Sequence, residues 1–98
     1  MTLEEALAEL AKYRDEIDAI DRELLETLNR RTRVVEKIGE IKQTVSLPIY
    51  EPKRESDVFR NVTANNRGPL TSDALQRIFE RIIDEMRSLQ KMRRAGDK

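Results

Sequence analysis

The run TLEEALAELAKYRDEIDAIDRELLETLNRRTRVVEKIGEIKQTV, residues 2–45, decides how this chain folds. It contains no proline and a single glycine, Gly39. Apolar residues recur at Leu3, Leu7, Leu10, Tyr13, Ile17, Ile20, Leu24, Leu28, Val35, Ile38, Ile41 and Val45. Steps of three and four keep one face of an α-helix apolar, so the spacing predicts one helix from about Thr2 to Val45. At about 1.5 Å per residue that helix is roughly 65 Å long. A compact chain of ~100 residues has a radius of gyration of only about 13 Å. Its apolar stripe therefore outruns the core of its own chain and needs a second molecule to cover it. Paired long helices in a homodimer are the simple solution.

Beyond this run, Pro48 and Pro52 bracket a turn over Leu47–Glu51. Pro52 suits the first position of a new helix, where its missing N–H costs nothing. That short helix carries Val58, Phe59 and Val62 on one face and frays at Asn65-Asn66-Arg67-Gly68-Pro69. Thr71 or Ser72 can cap a third helix, with Asp73 near its positive end. Its stripe is Leu75, Ile78, Phe79, Ile82, Ile83, Met86 and Leu89. The expected end is near Arg93-Arg94, with Gly96-Asp97-Lys98 a ragged tail. No strand pattern or internal repeat is present. The reading is all-α: a single domain over 1–98 of long, short and medium helices.

The 98 residues hold 19 basic and 19 acidic side chains, a formal net charge of zero. Such balance is unlike a nucleic-acid coat or a polybasic membrane binder. The absence of cysteine excludes disulfides, thiolate nucleophiles and cysteine-bound metals. The absence of histidine removes the commonest general base and most zinc sites. No apolar run approaches the ~20 residues of a membrane span. The acidic start, Met1-Thr2-Leu3-Glu4-Glu5, lacks a signal peptide's character, so a cytoplasmic location is expected. Any chemistry must run on Arg, Lys, Asp, Glu, Gln, Ser, Thr or Tyr.

Four charges interrupt the first stripe: Arg14, Asp21, Arg31 and Lys42. A seam charge must be paired or serve a ligand, because desolvating it alone costs several kcal/mol. Snorkelling, or an ion-pair network that fixes register, is the competing explanation. Asp21 can neutralise one arginine in that way, but not three cations. Arg31 and Lys42 are eleven residues apart and point the same way, with Cα atoms ~16 Å apart along the axis. Arg14 lies about 25 Å before Arg31 and is rotated by roughly 100°, so it does not easily join the same pocket within one straight helix, whereas in an antiparallel dimer the partner's Arg14 could reach it. Gln90 falls on the apolar face of the third helix, four residues after Met86. A buried amide needs partners. Cations with a buried amide suit a small dianion such as a dicarboxylate. Glu51, Arg54 and Glu55 at the start of the second helix can add a hydroxyl acceptor, although acidic residues also favour helix N-termini for purely structural reasons.

These residues resemble the all-helical, AroQ-class chorismate mutases from about Leu10 to Met92. The similarity runs through Tyr13-Arg14-Asp15-Glu16-Ile17-Asp18-Ala19-Ile20-Asp21, Leu24-Leu25, Leu28, Arg30-Arg31 and Ile38-Gly39-Glu40-Ile41-Lys42. It continues through Pro48-Ile49-Tyr50-Glu51-Pro52-Lys53-Arg54-Glu55, then Ile78-Phe79, Ile82-Ile83 and Leu89-Gln90. Each piece is weak alone; the order and spacing together are specific. The resemblance implies an intertwined homodimer that converts chorismate to prephenate without cofactor or metal. It implies that Arg31 and the partner's Arg14 grip the substrate carboxylates, with Arg54 in the same set. Lys42 and Gln90 would contact the ether oxygen. Glu55 would hold the ring hydroxyl, assisted by the backbone at Glu51. Two departures stand out: Glu51 replaces the usual Asp, and Met86 stands where some members have Ser.

Two alternatives remain. An isochorismate pyruvate-lyase uses the same fold and a similar cationic pocket, but the Arg54-Glu55 pair after the turn argues against it. A non-catalytic helical dimer predicts an uninterrupted apolar seam, and leaves Arg31, Lys42 and Gln90 without a shared purpose. Nucleic-acid binding is weaker still, because Arg30, Arg31 and Arg33 form only a short basic cluster.

Overall fold

The computed structural model describes residues 1–96. Three helices follow one another: α1 (Leu3–Thr44), α2 (Pro52–Asn65) and α3 (Ser72–Gly96). No strand occurs among the described residues. The expected order and the first two helices stand. The third helix continues through Arg93-Arg94 to Gly96, further than its composition suggested, and residues 97 and 98 of the expected tail lie outside the described residues. By its contacts the chain divides into two units, Met1–Arg33 and Val34–Lys98.

The first unit is the larger part of α1. The Thr2 hydroxyl accepts from the Glu5 N–H at 3.1 Å, and Glu4 and Glu5 face the positive end of the helix dipole. Thr27 and Thr32 donate back to the Glu23 and Leu28 carbonyls, which satisfies their hydroxyls within the helix. Leu7, Leu10, Ile17, Ile20 and Leu24 are all exposed; Leu10, the least so, is at 46%. This is the uncovered stripe expected from the spacing.

The second unit holds the end of α1, the turn, α2 and α3. α1 closes with paired bonds: the Leu47 N–H donates to the Lys42 carbonyl at 2.8 Å and the Ser46 N–H to the Gln43 carbonyl at 3.3 Å. This double closure places its pivot residue in the left-handed region, and Ser46 has φ 58°. α2 begins on Pro52, as expected, and packs against α3. Thr71 caps α3, accepting from the Ala74 N–H at 3.1 Å. Ile83 is the one buried apolar residue among those described, with Val58, Phe59, Val62, Leu75, Phe79, Ile82 and Leu89 half-buried around it. Ile78, expected on the same stripe, is 46% exposed.

Candidate active site

Lys42 lies in the last turn of α1, where a cation complements the dipole's negative end. It is 8% exposed. Its backbone carbonyl anchors the closing turn, and that turn brings the following segment over its side chain. Lys42 Nζ donates to the Ile49 carbonyl at 3.1 Å and meets Glu51 Oε1 at 3.1 Å. An ammonium has three N–H donors. Two are engaged, which leaves a third. The Glu51 carboxylate is turned toward Lys42, and it makes no capping bond to α2. Glu51 thus forms an ion pair with the seam lysine.

Gln90, in α3, is 9% exposed. Its Nε2 donates to the Val35 carbonyl at 3.2 Å. A Cβ placed on Gly39 would lie 3.4 Å from Gln90 Cγ and 3.7 Å from Nε2. Gly39 is therefore where the Gln90 side chain lies directly on the α1 backbone. Val35, Gly39 and Lys42 follow one another at helical steps of four and three, on one strip of α1. Both donors are thus anchored along the same two turns. Gln90 keeps its second N–H beyond the bond to Val35.

Glu55 faces inward from the first turn of α2, and its Oε2 lies 3.3 Å from Arg87 Nε. Arg87 also bonds Asp84 at 2.6 Å, and its guanidinium sits 5.1 Å from the Tyr50 ring centre. Arg54, the neighbour of Glu55, is exposed. Arg93 pairs with Glu36 at 3.0 Å, and Arg94 donates to the Leu47 carbonyl at 3.0 Å. A cleft of about 190 Å³ opens beside them, with Gly39, Gln43 and Gln90 in its lining. Within the first unit, Arg14 is exposed and Arg31 half-buried.

The second unit therefore brings Lys42, Glu51, Gln90 and Glu55 into defined contacts. Sequence reasoning missed Gly39 as the seat of Gln90, the side-chain role of Glu51, and Arg87. A lone glycine inside a strong helix was the available signal for the first. Asp84 and Arg87 at a spacing of three read as an ordinary surface pair, so nothing marked Arg87. Among the described residues no cluster of three His, Cys, Asp or Glu is placed to hold a metal ion, and no helix is long and apolar enough to cross a membrane.

The model of the chorismate mutase type II family matches residues 13–91. The chain belongs to the type II chorismate mutases. The matched span includes all seven candidate site residues, from Arg14 to Gln90. The chain is 39% identical over 89 residues to the bifunctional chorismate mutase/prephenate dehydratase of Aquifex aeolicus, covering 87% of this chain and 25% of that protein. It spans about a quarter of the length of the bifunctional relatives it matches. Among solved structures, chorismate mutase form II from Thermus thermophilus superposes with a TM-score of 0.83 at 32% identity, covering 85% of this chain and 94% of that one. The Helicobacter pylori chorismate mutase in complex with prephenate gives 0.80 at 32% identity, covering 86% and 91%.

Proposed function

We propose that this chain catalyses the [3,3] rearrangement of chorismate to prephenate. One C–O bond breaks as one C–C bond forms, with no nucleophile and no proton transfer. The protein's task is to hold a flexible dianion in its reactive shape and to favour charge separation. The observation that carries the reading is the pair of buried donors. Lys42 and Gln90 are each fixed by protein acceptors, and each keeps an N–H in reserve. Preorganised donors of this kind stabilise the ether oxygen as it gains negative charge, and removing one typically costs ~10²–10³ in rate.

The remaining roles follow the resemblance. Arg31, Arg54 and the partner's Arg14 take the carboxylates, and Glu55 accepts the ring hydroxyl with the Glu51 backbone assisting. A second copy of the chain covers the exposed stripe of Leu7, Leu10, Ile17, Ile20 and Leu24. The Helicobacter pylori relative, whose structure holds prephenate, supports the choice of product. We place the chain in the cytoplasm.

The test is loss of chorismate absorbance in the presence of the purified chain, with the product identified chromatographically. Prephenate is expected. Pyruvate with an aromatic acid would make the chain a lyase, and no consumption above the uncatalysed rate would defeat the reading.

A further inference from the structure

We infer that Arg87 positions Glu55, fixing one carboxylate oxygen so that the other accepts the ring hydroxyl of the substrate. The inference rests on the proposed chorismate mutase activity and adds a residue to it. Glu55 projects from the first turn of α2, where a free glutamate side chain samples several rotamers. Arg87 Nε lies 3.3 Å from Oε2, and in the proposed arrangement Oε1 is the oxygen that accepts the hydroxyl. Arg87 is itself held from two sides: by Asp84 on its own helix at 2.6 Å, and by the Tyr50 ring at 5.1 Å. It thereby ties the turn before α2, the first turn of α2 and the body of α3 to one guanidinium.

Two further observations favour positioning over simple stabilisation. The Arg87 and Glu55 side chains are 30% and 21% exposed, so solvent still reaches the pair and screens it in part. Arg87 Nε is buried yet lacks an aligned hydrogen-bond acceptor. A buried N–H in that state is costly. Catalytic hydrogen bonds are often poorly aligned without substrate and tighten when it binds, and the Arg87–Glu55 contact is placed to do so. The specificity consequence is direct. With Glu55 fixed, the site favours the hydroxyl position of chorismate over that of isochorismate.

The test is a double-mutant cycle on the full chain: Arg87→Met, Glu55→Ala and both together. Kcat and KM for chorismate are measured separately, with the ratio of specificity constants for chorismate and isochorismate, and with thermal melts. Arg87→Met should lower kcat/KM for chorismate about tenfold and shift the ratio toward isochorismate, with the melt little changed. In the Glu55→Ala background the same change should have no further effect. Arg87→Lys should restore part of the loss; if Arg87→Met does not fold, Arg87→Lys replaces it in the cycle. Losses that multiply in the double variant, or a ratio that does not move, would overturn the inference while leaving the mutase activity standing. A parent protein without chorismate turnover would overturn the proposed function first, and this inference with it.

Discussion

Lys42 Nζ lies 3.1 Å from Glu51 Oε1, a contact made by the turn that ends α1. The turn pivots on Ser46 at φ 58°, a conformation that suits glycine. It also delivers the Ile49 carbonyl to the same ammonium. The sequence thus keeps a strained residue next to the group proposed to do the chemistry.

Replacing that residue should release the strain. A non-glycine residue in the left-handed region costs roughly 1–2 kcal/mol. The greater freedom of glycine in the unfolded chain takes back about 0.5–1 kcal/mol of the gain. Ser46→Gly should therefore stabilise the protein by about 0.5–1 kcal/mol, read as a higher urea midpoint with an unchanged slope at fixed protein concentration. A lower midpoint would mean that the Ser46 side chain makes a contribution that outweighs its strain.

Gly39 makes the opposite kind of prediction. A single methyl there would sit 3.4 Å from Gln90 Cγ, an ordinary contact. Gly39→Ala should raise stability by up to about 1 kcal/mol through helix propensity and keep turnover within a few-fold. Gly39→Val adds bulk against Gln90 and should cost ~10²-fold in kcat, as loss of the Gln90 donor would. Thermal melts and steady-state kinetics of both variants decide it. Equal activity in Ala and Val variants would remove Gly39 from the account.

Gln90→Glu should make activity acid-dependent. An ionised carboxylate has no N–H to donate and repels the dianion; a protonated one donates. Burial beside Val35 and Gly39 disfavours the charged form and moves the introduced carboxyl above the ordinary glutamate range. Activity of the variant is therefore present below that pKa and lost as pH rises through it. A pH–rate profile parallel to the parent's would contradict this.

How much of this was legible in the sequence depends on distance along the chain. The three helices were, because their apolar spacing and the prolines at Pro48 and Pro52 are local signals. The burial of Lys42 and Gln90 was, because a polar residue on an apolar stripe breaks a local pattern. The Lys42–Glu51 and Glu55–Arg87 contacts were not. Both join side chains on different segments, and their geometry depends on a turn whose left-handed pivot is a serine. Nothing in Thr44-Val45-Ser46-Leu47 announces that turn. The reach of α3 to Gly96 was also hidden, since the Arg94 bond to the Leu47 carbonyl ties its last turns to the chain from outside the helix.

The proposed sharing of sites between two copies can be tested by complementation. Arg14→Ala and Arg31→Ala proteins should each be nearly inactive. Unfolded together, mixed equally and refolded, about half of the dimers should be mixed, and one whole site in each should return about a quarter of parental activity. Mixed dimers confirmed by mass, with no recovery, would refute the sharing.

The claim on which the rest depends is that buried Lys42 is there for a ligand rather than for the fold. The direct measurement is kcat/KM of Lys42→Ala with chorismate, beside its helical circular dichroism and thermal midpoint. Glu51 is 43% exposed and stays solvated without its partner, so the stability cost should be only about 1 kcal/mol. The account predicts a helical protein that melts close to the parent and turns over ~10²–10³ times more slowly. Turnover near the parent's value in a folded variant would contradict it.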